Sequence, residues 1–266
     1  MPNVTVHSEP SAEARADALA NELGLPRGAG GELELVATPG RLELRVVRSE
    51  AAGLAGGSPV FADWRKVDTT SPAGRSRKAP LPRAAWPRRW REPPRVLDTT
   101  AGLGEDAWLL ARLGCSVTAV ERDPIVFALL EDAHRRAAAC EDPDLRKAAQ
   151  RITLRHDDAA HVLCNEPTGG WDVIAIDPMF PAGRKTTERK ALRVLRLVIG
   201  EHREADDAAL FHAARRTRAR RVIVKRPRLG PTLTDEPPTH RLPGKAIRFD
   251  VYEQRPVQNE KDILTG

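Results

Sequence analysis

Hydrophobic and polar positions in the first sixty residues alternate in two different ways. Residues 11–23 repeat small apolar side chains at helical spacing and stop at Gly24, which predicts a helix. Residues 32–38 and 41–47 alternate with a period of two on either side of a Pro-Gly pair, which predicts a β-hairpin. We therefore expect a small α+β unit over residues 1–62.

The periodicity is lost in the next stretch of the chain, over residues 65–95. The part from Thr69 to Arg95 contains six prolines and eight basic residues against one acidic residue. This composition is typical of an extended segment with little helix or strand. We predict a basic, proline-rich linker or arm over residues 63–95.

From Val96 onwards, short apolar runs alternate with segments of helical period. This alternation predicts a mostly parallel sheet covered by helices on both faces, in a domain over residues 96–266. Ligands bind such sheets at the carboxyl ends of the strands. The predicted strands are residues 95–98, 115–121, 151–156, 172–176, 221–225 and 247–253, and the predicted helices are residues 105–114, 124–139, 187–200 and 206–219.

Composition limits the classes of protein to which this chain can belong. The chain has 266 residues, of which 41% are hydrophobic, and its net charge of +6 suggests a polyanionic partner. Three widely spaced cysteines without a CxxC or Cys/His pattern predict neither a disulfide framework nor a metal site. The first 24 residues lack the apolar stretch of a signal peptide, and no run approaches the length of a membrane span. We expect a cytoplasmic protein, with no oligomeric state assigned.

A glycine turn follows the first strand of the larger domain. Gly102 and Gly104 allow a tight turn and also fit the loose dinucleotide-binding pattern. Glu105 and Asp106, however, open the next helix where a pyrophosphate would lie, and their carboxylates would repel it. With Asp98 on the strand before the turn, this site favours a ligand with an ammonium group. S-adenosylmethionine carries an ammonium and a sulfonium and no phosphate.

Acidic residues also end the next two predicted strands. Glu121 can accept both ribose hydroxyls of an adenosyl group, and Arg122 can cover the adenine. Asp157 or Asp158 can accept from the adenine amino group or cap a helix, and these roles are compatible. An NAD enzyme would use the acid at Glu121 as well, so this residue supports an adenosyl ligand without choosing between the two.

The sequence DPMFP follows the fourth strand, at the expected ligand edge. Asp177 can orient an amine N–H, with the Pro178 carbonyl as a second acceptor. Phe180 can stack on a flat base. The flanking prolines reduce the entropy lost on ordering the loop. This arrangement suits methylation of an exocyclic amine.

Basic residues are dense after this loop and again over residues 214–228, which contain eight and include the end of a later strand. Together with the basic arm, they would place positive charge around the opening of the ligand site, where a phosphate backbone could bind. The candidate RNA contacts are Arg184, Lys185, Arg189, Lys190, Lys225 and Arg226.

Successive motifs resemble the bacterial ribosomal small-subunit methyltransferase J family. They are DTTAGLGEDAWLLARLG, ERDPIVFALLEDA, DPMFP, KALRVLRLVIG, RVIVKRP and IRFDVY. The resemblance implies a 16S rRNA guanine-N2 methyltransferase that uses S-adenosylmethionine and acts on 16S rRNA or the small ribosomal subunit. It places cofactor contacts on Glu105, Asp106, Glu121, Arg122, Asp157, Asp158 and Asp177. The chain departs from the family over residues 65–95, where prolines and tryptophans replace most glycines of a basic stretch.

We therefore predict a class I (Rossmann-like) S-adenosylmethionine-dependent methyltransferase fold, an α/β sheet of seven strands with a small N-terminal α+β unit. Asp98, Gly102, Gly104 and Glu121 would hold the cofactor, without a metal or a covalent intermediate. One alternative is a methyltransferase of the same fold that acts on another nucleic acid or on a protein amine. Others are a non-catalytic RNA-binding relative, which would fail to bind S-adenosylmethionine, and an NAD-dependent oxidoreductase, which calorimetry with both ligands would identify.

Overall fold

The computed structural model describes residues 2–48, 54–68, 71, 77–165, 170–178, 190–200 and 204–254. Its N-terminal part contains β1 (Val4–Ser8), α1 (Glu13–Leu23), β2 (Leu33–Ala37) and β3 (Leu42–Val46). Strand β2 pairs antiparallel with β3, which confirms the predicted hairpin. Strand β1, which was not predicted, pairs parallel with β2. Its sequence, VTVHS, contains only two apolar residues, too few to establish an alternating pattern.

A larger sheet of seven strands follows in the described part of the chain. The strands are β4 (Arg95–Asp98), β5 (Ser116–Glu121), β6 (Ile152–His156), β7 (Val173–Ile176), β8 (Arg221–Pro227), β9 (His240–Pro243) and β10 (Ile247–Glu253). Their order is β6-β5-β4-β7-β8-β10-β9. The first five strands of this order are parallel, and β10 runs antiparallel to both of its neighbours. The predicted α/β fold is confirmed, with β9 as an additional strand.

Helices cover both faces of this sheet. They are α2 (Pro80–Ala85), α3 (Glu105–Arg112), α4 (Pro124–Ala138), α5 (Pro143–Ala149), α6 (Ala159–Asn165) and α8 (Glu204–Arg216). Helix α7 (Lys190–Ile199) packs instead on α4 and the N-terminal unit. Successive strand residues bury their side chains on opposite faces, as a pleated strand requires. Val96, for example, packs with α3 and α5, whereas Leu97 packs with α6 and α8. The short helices α2, α5 and α6 were not predicted.

The basic arm was predicted to be extended with little helix or strand, but residues 77–90 contain one short helix and pack on the sheet. Helix α2 begins with prolines in its first turn, where a missing N–H costs nothing, and it packs against β8, β9 and β10. Trp86 and Trp90 are buried, and the indole N–H of Trp86 donates to the Trp90 carbonyl. The guanidinium of Arg77 stacks on the Trp86 ring at 3.4 Å. Local composition indicated a solvated linker, but these tryptophans bury it on the sheet.

The N-terminal unit packs against α4 and α7 through a shared apolar cluster. Beside this cluster lies Asp132 of α4, whose side chain is 1% exposed and binds three arginines. Arg15 reaches it from α1, and Arg135 and Arg136 reach it from its own helix. Burial alone would raise the pKa of Asp132, but hydrogen bonds from Arg136 and Arg15 outweigh burial and leave the pKa below its usual value.

We expect Asp132→Asn to lower the free energy of unfolding by about 2–4 kcal/mol near pH 7, because it leaves the arginines without their carboxylate. A depressed folded-state pKa stabilises the protein above the unfolded value of 3.8, and this stabilisation is lost as pH falls through the folded-state pKa. The difference between wild type and variant should therefore be constant above about pH 5 and shrink towards pH 3. Urea denaturation across this range measures it. A difference that does not change with pH would exclude ionised Asp132 as the source.

Candidate active site

The carboxyl ends of β4 and β7 are joined by hydrogen bonds from two threonines. Thr99 donates to the Ala175 carbonyl with both its backbone N–H (3.0 Å) and its hydroxyl (2.8 Å). The hydroxyl of Thr100 accepts from the backbone N–H of Asp177 at 2.7 Å. The loop that begins at Asp177 is therefore fixed at its start against the turn that follows Asp98.

Glu121, at the end of β5, binds the glycine turn. Its Oε2 accepts from the Gly102 N–H and its Oε1 from the Asp123 N–H, each at 2.9 Å. Burial raises the pKa of Glu121, and these N–H donors oppose the rise. Each carboxylate oxygen has further lone pairs, so the predicted ribose contact remains chemically available. The structure adds a role that the sequence analysis did not give it, which is to hold the turn next to the strand.

Gly104 is the more closely packed of the two glycines in the turn, and it has a φ of +78°. A β-carbon at this position would lie 2.5 Å from Cδ1 of Leu130 and 2.9 Å from Cζ2 of Trp64. The Trp64 indole N–H donates to the Leu103 carbonyl at 2.8 Å, and its ring stacks on Trp108 with centroids 4.9 Å apart. Trp64 comes from the segment predicted to be a linker. Sequence reasoning missed it, although an isolated tryptophan in a polar stretch was an available signal.

Lys225 joins two of the predicted acids. Its Nζ lies 2.9 Å from Oδ2 of Asp106 and 2.7 Å from Oδ2 of Asp177. Because Ile176 pairs with Val224, Asp177 and Lys225 follow at the same level on neighbouring strands. Helix α3 brings Asp106 to the same point. The ion pairs keep both carboxylates oriented towards the carboxyl edge of the sheet.

Burial and mutual repulsion shift the pKa values of the acidic residues in this site. Burial raises the pKa of Asp98 to about 7, and the negative charges of Asp106 and Asp177 contribute to this rise. The hydrogen bond from the Thr100 N–H acts in the opposite direction and lowers the pKa. Burial raises the pKa of Asp177 to about 6, while the ammonium of Lys225 lowers it. Burial would lower the pKa of Lys225, but its two carboxylate partners outweigh burial and raise it. At pH 7 the site therefore contains more carboxylate than ammonium charge.

A small pocket lies at this point of the sheet edge. Its polar lining is Asp98, Asp106, Asp177 and Lys225, and its apolar lining comes from β7, β8, β10, α3 and Leu81 of α2. Three carboxyl groups against one ammonium suit a ligand that carries positive charge beside an apolar body. The lining residues therefore fit the ammonium and sulfonium of S-adenosylmethionine and do not fit a pyrophosphate.

The remaining predicted cofactor residues follow β4, β5 and β6 along the same edge. Glu105 and Arg122 are exposed, and His156 contacts the Arg122 carbonyl at 3.3 Å. Asp158 accepts from the Ala160 N–H at the start of α6, as the N-cap interpretation predicts. Asp157 accepts from Arg155 and contacts His161, and the bond with His161 lowers its pKa. Contacts of these four residues with an adenosyl group stay predictions.

The structure does not support Lys225 and Arg226 as RNA contacts. Lys225 is engaged inside the pocket, and Arg226 is buried and donates to the Pro231 carbonyl at 3.0 Å. Arg221 of the same basic run is also buried, where it binds Glu253 and the Ala84 carbonyl. The run from 214 to 228 is therefore not one continuous basic surface. The side chains of Phe180, Arg184, Lys185, Arg189 and Lys190 lie outside what the structure describes.

Two classes of feature are not found in the described ranges. No helix there is long and apolar enough to span a membrane. No group of three His, Cys, Asp or Glu side chains there is arranged to hold a metal ion.

Comparison with known proteins agrees with this site. The family model of SAM-dependent methyltransferases, SAM_MT, matches residues 18–254. The ribosomal RNA small subunit methyltransferase J of Thioalkalivibrio sulfidiphilus is 38% identical over 245 residues, or 90% of this chain and 92% of that protein. The protein of the same name from Laribacter hongkongensis is 44% identical over 164 residues. This alignment covers 61% of the chain and 57% of that relative, less than two thirds of its length.

A solved structure of a methyltransferase is similar to nearly the whole of this chain. The crystal structure of a SAM-dependent methyltransferase from Neisseria gonorrhoeae superposes with a TM-score of 0.66 at 29% identity. The superposition covers 97% of this chain and 98% of that one. With the acidic pocket at the carboxyl edge of the sheet, these matches confirm the predicted family and cofactor. The chain belongs to the family of S-adenosylmethionine-dependent methyltransferases that includes the ribosomal RNA small subunit methyltransferase J proteins.

Proposed function

We propose that this enzyme transfers a methyl group from S-adenosylmethionine to N2 of a guanine in 16S rRNA. The observation that carries the proposal is the position of Asp177, which Lys225 and Thr100 hold at the carboxyl end of β7 beside the acidic pocket. The names of the relatives from Thioalkalivibrio and Laribacter support ribosomal RNA of the small subunit as the substrate. The proposed place of action is the small ribosomal subunit in the cytoplasm.

The acidic pocket would hold the methionine part of the cofactor. Asp98 and Asp106 face its ammonium, and the glycine turn leaves room for close approach to the backbone. Glu121 would accept from the ribose, and Asp157 or Asp158 from the adenine. When bound, S-adenosylmethionine supplies an electrophilic methyl group. The apolar lining around these carboxylates excludes water and strengthens their interaction with a cation.

Asp177 would act on the guanine. Its ionised carboxylate accepts a hydrogen bond from the N2 amino group, which turns the nitrogen lone pair towards the cofactor side, and takes the proton that the amine loses. The carbonyl of Pro178 would be a second acceptor, and Phe180 would stack on the base. Lys225 is a positioning residue in this scheme, because its ammonium fixes Asp177 and favours its ionised form. Arg184, Lys185, Arg189 and Lys190 remain proposed RNA contacts.

A labelled transfer assay tests this proposal. Purified enzyme is incubated with labelled S-adenosylmethionine and with small subunits or naked 16S rRNA from cells that lack the modification. Large-subunit rRNA serves as a control. We expect N2-methylguanosine in digested small-subunit rRNA and none in the control. If the enzyme binds cofactor but leaves every rRNA unlabelled, the substrate assignment is wrong, and a panel of other RNAs and protein amines is then the next assay.

Cofactor affinity should depend on pH through Asp98. Its carboxylate can face an ammonium only when ionised, and its pKa is raised to about 7. We therefore expect the Kd for S-adenosylhomocysteine, measured by calorimetry, to rise by up to about tenfold per pH unit as pH falls below 7. In Asp98→Asn, binding should be weaker at pH 8 and should no longer follow this dependence. Asp144→Asn, on the exposed α5, is the control. An unchanged pH profile in Asp98→Asn would assign the proton to another group.

A further inference from the structure

The loop after β8 is held by two buried arginines. We call residues 227–231 the β8 loop. Arg226 donates to the Pro231 carbonyl, and Arg248, neutralised by Asp250 at 2.7 Å, donates to four carbonyls of the loop. The acceptors of Arg248 are Pro227 at 2.8 Å, Arg228 at 3.0 Å, Gly230 at 2.7 Å and Pro231 at 3.2 Å. Five charge-assisted hydrogen bonds therefore fix the backbone of a five-residue surface loop.

An apolar side chain stands at the tip of this fixed loop. Leu229 is 95% exposed, more than any other large hydrophobic residue in the described part of the chain. Arg228 beside it is exposed as well. Its backbone N–H donates to the Ala246 carbonyl at 3.0 Å, which brings the turn before β10, with exposed Lys245, against the loop. The two turns line a shallow groove with three apolar side chains, of Pro227, Leu229 and Ala246, and with the cationic side chains of Arg228 and Lys245.

The sheet order places this groove beside the reaction centre. The cofactor residues follow β4, β5 and β6 on one side of β7, whereas β8 and β10 lie on the other side. Leu229 comes four residues after Lys225, whose ammonium contacts Asp177, so the two Cα atoms are at most about 14 Å apart. The groove therefore lies within reach of a substrate that enters from the β8 and β10 side of Asp177.

We propose that the β8 loop and residues 244–246 form a docking surface for the RNA strand next to the target nucleotide. Arg228 and Lys245 would contact phosphates, and Leu229 would pack against the base face exposed when the guanine leaves its stack. The two cations match the charge of a phosphate backbone. The fixed loop presents the leucine without further loss of conformational entropy on binding. This inference rests on the proposed function and adds a substrate-binding element to it.

Binding and kinetics of surface variants test the surface. The variants are Leu229→Ser and the double variant Arg228→Gln with Lys245→Gln. The matched controls are Val47→Ser, a partly exposed apolar residue of the N-terminal unit, and Lys147→Gln on α5, near the amino ends of the strands. The Kd for labelled 16S rRNA is measured at several salt concentrations in the presence of S-adenosylhomocysteine. The Kd for S-adenosylhomocysteine and the KM and kcat of methyl transfer are measured for each variant.

We expect Leu229→Ser to raise the Kd and KM for RNA by about 10-fold or more, because the variant lacks the leucine side chain that bound RNA would bury. The double variant should also lower the slope of log Kd against log salt by about 1–2, since two phosphate contacts are lost. Both controls should bind RNA as the wild type does, and all four proteins should bind S-adenosylhomocysteine equally well. An unchanged cofactor Kd shows that the site is intact.

Three possible results distinguish the proposed docking surface from the proposed methyl-transfer reaction. If the wild type methylates rRNA and both surface variants keep its Kd and KM, the docking surface is wrong. If the variants bind naked rRNA normally and lose activity only on assembled subunits, the groove binds a ribosomal protein, and the RNA proposal is overturned. If the wild type binds rRNA without methylating it and the variants bind more weakly, the proposed reaction fails and the docking surface is supported.

Discussion

Asp177→Asn should lower kcat for methyl transfer by about 10²- to 10⁴-fold, the usual contribution of a positioned general base. The amide keeps the size of the side chain and can still accept a hydrogen bond, but it cannot take the proton that the amine loses. The Kd for S-adenosylhomocysteine should change only a few-fold, because Asp98 and Asp106 remain. Single-turnover methylation and calorimetry on the same preparations measure the two effects.

The pH profile separates chemistry from loss of structure. Wild-type kcat should rise through about pH 6, where Asp177 becomes ionised. Lys225→Met removes the ammonium that lowers the pKa of Asp177, so the midpoint should move to higher pH while activity at high pH is partly retained. Asp177→Asn should have no such midpoint. If Asp177→Asn retains the activity and pH profile of the wild type, another group takes the proton.

Gly104→Ala should lower the free energy of unfolding by about 2–5 kcal/mol. The left-handed backbone at φ +78° costs an alanine about 1–2 kcal/mol. The new methyl group would overlap Leu130 and Trp64, at 2.5 and 2.9 Å, and overpacking of this kind costs about 1–3 kcal/mol more. Urea denaturation measures the change, and the Kd for S-adenosylhomocysteine should rise as the turn is displaced.

Gly102→Ala is the matched control for this prediction. Gly102 also has a positive φ, +53°, but a β-carbon there would meet nothing within 4 Å. It should therefore cost only the backbone term, about 1–2 kcal/mol. Equal losses of stability in the two variants would mean that Leu130 and Trp64 move aside freely, and the packing argument for Gly104 would then be wrong.

The local pattern of hydrophobic residues was sufficient to predict most strands of the sheet. Strands β4 and β10 begin and end at the predicted residues, and the other predicted strands differ by one or two residues at their ends. Apart from β6, in which only Ile152 is buried, these strands bury side chains on both faces, so their runs of apolar residues are dense and easily recognised. The short elements were missed for the opposite reason. Helices α2, α5 and α6 have six or seven residues, too few for a helical period to be distinguished.

For the candidate site as well, local sequence predicted some features and not others. The sequence by itself determined the glycine turn and the acids at strand ends, since a parallel sheet brings the carboxyl ends of its strands to one edge. Only the tertiary structure decided which charges meet. Lys225 pairs with Asp177 and Asp106 across 48 and 119 residues of chain, although its basic neighbours suggested an RNA surface. Likewise, Trp64 and Leu81 reach the site from a segment that composition assigned to a linker. Such contacts depend on strand register and on the burial of distant side chains, which no local periodicity encodes.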